Sequence, residues 1–425
     1  DRGKDLEEVK ADYQERFDVP ADWFTGAFDD SVKAADSLLN YSLDIYIQDI
    51  RQMTPQSSVI IFDQCFNGAY IHSQYVAGEY LFGEGNTIAA IANSVNVIQD
   101  LWSVEFLGML DAGVRIGEWY KLRNYLESHV LGDPTFRFLP SDIGYPRELF
   151  KNPNVTEKTL RQYVNHNHPL IRAYALYRLF QLKDLDVEDE LITAYQQDES
   201  FNVRLEALKC LASLRTSSFE EILKGAIADP YELIRRFSVK WMGDLGRYDY
   251  LPYLVDNLFK DPAKRVNSNS WDAITKIGSD SARALALQMY SGQFSLSRRD
   301  DLMERLRSKV SSDSNWLYQD LMGKIMDDTL SGKKRYSAIR TFRYYRFREA
   351  VPFLLNYVQD DSQPEFLRET AIEALGWYTF SLHRNRIKEV CESIIKNKKN
   401  SAQLVNEARK TVKRIEAGAN APVTP

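Results

Sequence analysis

The sequence predicts two folds in series: an α/β segment over residues 1–150, then an all-α solenoid over residues 151–418, with a flexible tail at 419–425. Three observations predict this. Continuous apolar runs at residues 59–62 and 87–92 alternate with helical patterns, as in an α/β domain with a mainly parallel sheet. Beyond residue 150 no convincing strand pattern occurs, and helical pairs recur at an interval of 31 or 32 residues. The charge balance also changes, from 11 Lys+Arg against 24 Asp+Glu in residues 1–150 to 43 against 36 in the remainder, which suggests two modules.

Taken in order, residues 1–56 are acidic and helical in pattern, with Leu38, Leu39, Leu43, Ile45, Tyr46 and Ile50 spaced to form a covered face. A strand follows at 58–62, where Val59, Ile60, Ile61 and Phe62 suit burial on both sides and the polar Asp63-Gln64 marks its emergence. Asn67-Gly68 allows the chain to turn. A helix is expected near 69–82, and a second buried strand ends at Asn93-Ser94. Helices are expected at roughly 99–112 and 116–128, before Gly132-Asp133-Pro134 and a Pro/Gly-containing stretch close the segment.

From about 154 to 418 the segments 167–173, 199–205 and 229–235 share a polar turn, an aliphatic residue and an arginine. Their aliphatic positions, Ile171, Val203 and Ile234, are 32 and 31 residues apart. A fourth copy at Val266-Asn267 has lost the arginine, and a later one at Leu367-Arg368 keeps it. Two amphipathic helices cannot bury their apolar faces alone, so such units stack into an α-solenoid. The turn followed by Val/Ile-Arg resembles HEAT-like repeats. The aromatic, basic stretch from Arg335 to Arg348 departs from the pattern and suggests an irregular repeat or an inserted contact surface.

The composition, 44% hydrophobic and 27% charged over 425 residues, is that of a soluble globular protein. No apolar run is long enough for a transmembrane helix. The first residues lack the features of a signal peptide and an initiator methionine, and read as a boundary set by cloning or processing. The acidic first segment argues against a nucleic-acid partner. Cys65, Cys210 and Cys391 are too scattered for a disulfide framework or a metal site, and no cofactor motif is present. Cys210 and Cys391 lie in helical patterns and suit burial.

Cys65 lies where a buried strand ends in a turn, a place from which a nucleophile can be presented. The run Asp63-Gln64-Cys65-Phe66-Asn67-Gly68, the strand end Asn93-Ser94-Val95-Asn96, Trp102, and Leu131-Gly132-Asp133-Pro134-Thr135 together resemble gingipain-like cysteine peptidases, within the wider caspase-like fold. The resemblance covers residues from about 45 to 140. It implies the C-terminal portion of a caspase-like α/β sandwich and hydrolysis of peptide bonds through a thioester on Cys65. Gly68 would keep the turn small, Asn93, Ser94 and Val95 would line the substrate pocket, and Trp102 would form its wall.

The family's His-Gly motif is missing upstream of Cys65, and neither His72 nor His129 suits the role of base. The resemblance therefore implies a general-base histidine on an upstream segment or cleaved partner chain, a protein or peptide substrate, and a bacterial protein outside the cytoplasm, extracellular or periplasmic. The alternative is a catalytically inactive homologue that acts as a protein-binding scaffold, its solenoid holding a protein partner.

Overall fold

The computed structural model describes residues 5–96, 102–122, 127–140, 144–182, 186–290 and 296–417, apart from the side chains of 296–299. The tail expected over 419–425 lies outside them. The chain divides into two compact units: one holds residues up to 97 together with 115–120 and 125–136, the other holds 98–114, 121–124 and everything from 137.

The first unit opens with helices α1 (Leu6–Phe17), α2 (Asp30–Leu43) and α3 (Ile47–Gln52). Strand β1 (Val59–Ile61), helix α4 (Val76–Phe82) and strand β2 (Ala89–Asn93) form a crossover that leaves β1 parallel to β2, with Ile60 opposite Ala90. Small, fully buried alanines at 89, 90 and 92 let β2 take the middle of the sheet. A third strand, β3 (Ser128–Gly132), runs antiparallel on the other side of β2. At its end Gly132 has φ +86°, and a Cβ there would strike the Ile88 carbonyl oxygen.

Several expectations are corrected here. The sheet has three strands in the order β1-β2-β3 among the described residues, one parallel and one antiparallel pair, and is no caspase-like sandwich. Residues 128–132, expected to finish a helix, form β3. The helix expected at 69–82 begins only at Val76, because the chain first makes short-range turns through Phe66–Ala69 and Ala69–His72 hydrogen bonds. Of the helix expected at 116–128, the described residues form a short helix between 116 and 120 and leave it at 121, and 123–126 lie outside the described residues. Of the predicted covered face in residues 1–56, only Ile50 is buried; Leu38 and Leu43 are 71% and 72% exposed.

The second unit is helical. After the short α5 (Gly108–Asp111), and with the first unit contributing α6 (Ile116–Tyr120), it runs through α7 (Arg147–Lys151), α8 (Glu157–Tyr163), α9 (Pro169–Gln181), α10 (Glu188–Gln197), α11 (Phe201–Leu214), α12 (Ser217–Ala226), α13 (Glu232–Leu245), α14 (Leu251–Lys260), α15 (Lys264–Ile277) and α16 (Ser279–Tyr290). Helix α17 (Leu296–Ser314) continues through a π-helical stretch, Asn315–Gly323, into α18 (Lys324–Met326). Then follow α19 (Gly332–Thr341), α20 (Ala350–Gln359), α21 (Glu365–Leu375), α22 (Arg384–Lys396) and α23 (Ala402–Ala417). None of the described helices is long and apolar enough to cross a membrane.

Each early repeat is one helix pair, and among the second helices α9 packs against α11 and α13 against α15. Starts are set locally. Thr156 and Thr216 accept backbone N–H bonds from the third residue onward, and Pro169 occupies the first turn of α9, where a missing N–H costs nothing. Gly243 lets α13 approach α15 so closely that a Cβ would sit 2.7 Å from the Ala273 Cα.

The repeated arginine forms a ladder. Arg172 at the start of α9 grips Asp198 with two bonds of 2.7 and 2.8 Å and donates to the carbonyls of His166 and Asn167. Arg204 does the same to Asp229 and the carbonyls of Asp198 and Glu199. Arg235 holds Asp261 and the carbonyls of Asp229 and Pro230. Every such aspartate also accepts the backbone N–H two residues on, from Ser200, Tyr231 and Ala263, and so starts the helix it precedes. In the fourth copy Asn267 reaches only the carbonyl six residues back, that of Asp261, at 3.1 Å. Arg368 keeps the arginine but not the rung: its partners, the Val358 carbonyl and Asp361, both precede it in the chain.

Candidate functional site

Two regions carry chemistry that is not explained by packing alone: the turn after β1 in the first unit, and the surface of α19, α21 and α23 in the second.

The turn is fastened to the end of β2. The Phe62 N–H donates to Ile91, Gly68 to Asn93 at 2.9 Å, and Phe66 to Val95 at 3.2 Å. Asn93 is buried, and its Nδ2 donates to the carbonyls of Phe62 and Gln64, both at 3.1 Å. Cys65 therefore stands exposed on a clamped loop, with Phe66 at φ +60°. Gly68 is needed for close approach, since a Cβ there would lie 2.8 Å from the Ala92 Cβ and 2.9 Å from its carbonyl.

Beside this turn, Ser94 and His129 meet, Oγ to Nε2, at 2.7 Å, and Tyr70 sets its ring edge-on to the imidazole at 5.3 Å. The structure thus brings Cys65, Gly68, Asn93, Ser94 and Val95 to one strand end. His129 joins them because it sits on β3 opposite Ala92, a placement that the alternation of Ser128-His129-Val130-Leu131 could have revealed.

Trp102 has a different setting. It belongs to the second unit and is buried there, with Lys209 Nζ 5.2 Å from the centre of its ring. Lys209 on α11 pairs with Glu105 and lies 3.9 Å from Glu206, and all three are buried. Cys210 points its thiol at Glu206 Oε1, 3.8 Å away. Burial lifts the Glu206 carboxyl well above its usual range; Lys209 opposes that rise, and the charge and hydrogen bond of Glu105 add to it. A protonated Glu206 leaves one cation facing one carboxylate, so the cluster is neutral. Residues 102–111 are anchored on α11 by this cluster and on α9 by Phe106 against Tyr174. Cys391 is buried like Cys210, and burial pushes its thiol up to about 12.

The stretch 335–348 divides by burial. Phe342 and Phe347 enter the core, whereas Tyr336, Tyr344 and Tyr345 remain exposed. Arg346 and Arg348 pin it to the ends of α13 and α15: Arg346 donates to both oxygens of Asp244 at 3.0 and 3.1 Å, and Arg348 to the Gly246 carbonyl at 2.9 Å. Burial raises the Asp244 carboxyl, but the charges of Arg346, Lys276 and Lys240 prevail and hold it far below the carboxylate range.

On the adjacent surface Trp377 is 41% exposed, with the guanidinium groups of Arg343 and Arg414 at 4.9 and 5.8 Å from its ring. Glu373 accepts the Trp377 indole N–H at 3.0 Å and pairs with Arg343 at 3.3 Å. Arg340 lies 5.5 Å from the Tyr336 ring, and a groove of about 390 Å³ is lined by Tyr336, Arg340, Arg343, Phe366, Glu369 and Glu373.

Residues 157–236 match the family model for HEAT repeats. Three solved structures show distant similarity. They are the complex of CpcE and CpcF of phycocyanin lyase from Nostoc sp. PCC7120 (14% identity over 65% of this chain and 100% of that one, TM-score 0.32), human deoxyhypusine hydroxylase in complex with glycerol (15%, 56% and 99%, 0.25), and YibA of Escherichia coli (15%, 66% and 100%, 0.24). No curated protein matches the chain.

These findings correct the peptidase reading. The family matched is a helical repeat, and the sheet lacks the caspase-like architecture, so the gingipain-like resemblance and the cysteine-peptidase activity drawn from it do not stand. The expected α-solenoid is present.

Proposed function

We propose that the chain is a non-enzymatic scaffold whose α-solenoid holds a protein partner on the surface of α19, α21 and α23. The observation that carries this reading is the cluster of part-exposed Tyr336, Phe366 and Trp377 among Arg340, Arg343 and Arg414. Tryptophan, tyrosine and arginine dominate the residues that carry binding energy at protein interfaces. Their rigidity matters as much as their type. Glu373 fixes both Trp377 and Arg343 before any partner arrives, which reduces the ordering cost of association. Stacked helical repeats offer the extended surface that such recognition uses.

The test begins with the partner, found by cross-linking the full chain in its native cells. Its affinity for the purified chain is then measured by calorimetry. Trp377→Ala is expected to weaken binding by about 30-fold, the equivalent of a 2 kcal/mol anchor. Arg307→Ala, on α17, changes it less than about two-fold. A chain that holds no protein, or one that binds its partner equally well without Trp377, refutes the proposal.

A further inference from the structure

The segment that opens the first unit leaves its apolar side chains uncovered. Neither α1, nor the 3-10 turn at Ala21–Phe24, nor α2 has a buried residue. Every residue of α2 is exposed, yet its sequence is amphipathic: Val32, Ala35, Leu39 and Leu43 follow at three- and four-residue steps on one side, and Asp30, Lys33 and Ser37 lie on the other. A solitary helix of 14 residues is marginal in water, so the conformation calls for a surface that buries this stripe.

Charge decides what kind of surface. Residues 5–49 hold twelve acidic side chains against three basic ones. A second copy of the same arm would bring −9 against −9, and an anionic lipid surface would repel it. A groove with an apolar floor and a basic rim is favoured on both counts. From this we infer that α2 is a docking helix for a second protein, which receives Val32, Leu39 and Leu43 in such a groove. It is a helix-in-groove mode with anchors at i, i+3, i+7 and i+11. Acidic residues on α1 and α2 would steer the encounter without entering the apolar contact. This docking does not depend on the solenoid surface.

The experiment uses the full chain and a defined probe: a fluorescent amphipathic peptide of leucine and lysine, with a leucine and glutamate peptide of the same length as control. The lysine peptide is expected to bind, the glutamate peptide not to. Leu39→Ser with Leu43→Ser, which leaves every charge in place, weakens binding by about ten-fold or more. Trp377→Ala leaves it unchanged, which separates this outcome from that of the solenoid proposal. Equal binding by the serine variant would reduce the effect to charge alone and overturn the inference. So would binding of both peptides alike, a dimer in sedimentation that the serine variant dissolves, or capture by lipid vesicles that depends on Leu39.

Discussion

Replacing Arg204 by alanine tests whether the ladder holds the repeats together or merely decorates them. Arg204 makes two bonds of 3.0 Å to Asp229 and two more, at 3.1 and 3.0 Å, to the carbonyls of Asp198 and Glu199. Asp229 is buried. Removing the guanidinium leaves its carboxylate with the Tyr231 N–H at 2.8 Å but without its countercharge. Loss of one partner from a buried pair costs about 3–5 kcal/mol. Arg204 retains some exposure, so the lower end applies. For a unit of this size about 3 kcal/mol corresponds to a Tm fall of roughly 6–12 °C. Arg307→Ala breaks a pair with Glu304 on the open surface and should cost under about 1 kcal/mol.

Thermal unfolding and amide hydrogen exchange read the two variants side by side. The exchange should quicken first in α11 and α13, where the rung joins neighbouring repeats. The pH dependence follows from the first rung. Burial raises the Asp198 carboxyl, but the hydrogen bonds from Arg172 and the Ser200 N–H prevail and lower it. A depressed carboxylate contributes stability above its unfolded value of about 4 and loses it as pH falls through the folded value. The penalty of Arg172→Ala should accordingly shrink as the solution is acidified below about pH 4. A loss below about 1 kcal/mol for Arg204→Ala, no larger than that of Arg307→Ala, would refute the structural role of the ladder.

Two further outcomes are expected. Iodoacetamide should modify Cys65 alone in the native chain, since Cys210 and Cys391 are buried with thiols held protonated, and peptide mapping that finds either of those two labelled would contradict their placement. Glu206→Gln should flatten the pH profile of stability: a carboxyl raised by burial favours the folded chain below its unfolded value of about 4 and loses that advantage as pH rises through the folded value, so urea titrations that show no gain for the variant at alkaline pH would count against a protonated Glu206.

The helical repeats were legible because the residues that repeat are the ones that bond across repeats. The spacing of Arg172, Arg204 and Arg235 is visible in the chain, and so is the lost arginine at Asn267. The two apolar runs gave β1 and β2, although only β2 is buried along its whole length and β1, expected to be covered on both faces, is half-buried. Strand β3 was hidden because only Ser128 of its five residues is buried and its glycine end looked like a helix stop. Trp102 could not be placed from its neighbours, because its position depends on Lys209, more than a hundred residues away. The stripe of α2 announced a helix correctly but could not say what covers it. The peptidase resemblance drew on short turn motifs, and such turns have packing reasons of their own: Gly68 is small because Ala92 lies against it.

The ladder stops where long-range ties begin. After Asn267 the regular pairs give way to α17 and its π-helical continuation, and the following segments return to earlier repeats. Arg346 holds Asp244, the Leu382 N–H donates to the Leu245 carbonyl at 3.0 Å, and Arg215 donates to the Thr379 carbonyl at 2.5 Å. An open solenoid distributes stability between nearest neighbours and can fray repeat by repeat. Here residues far apart in sequence, such as Arg215 and Thr379, bond directly, so the early and late repeats restrain one another. Of the exposed aromatic and arginine surface, Phe366 and Trp377 lie between two of these ties in the chain, Arg346 before them and Leu382 after them, whereas Tyr336, Arg340 and Arg343 precede both ties and Arg414 follows both. Phe366 and Trp377 are therefore held from both sides, and the restraint suits a surface that must meet a partner with its geometry already set.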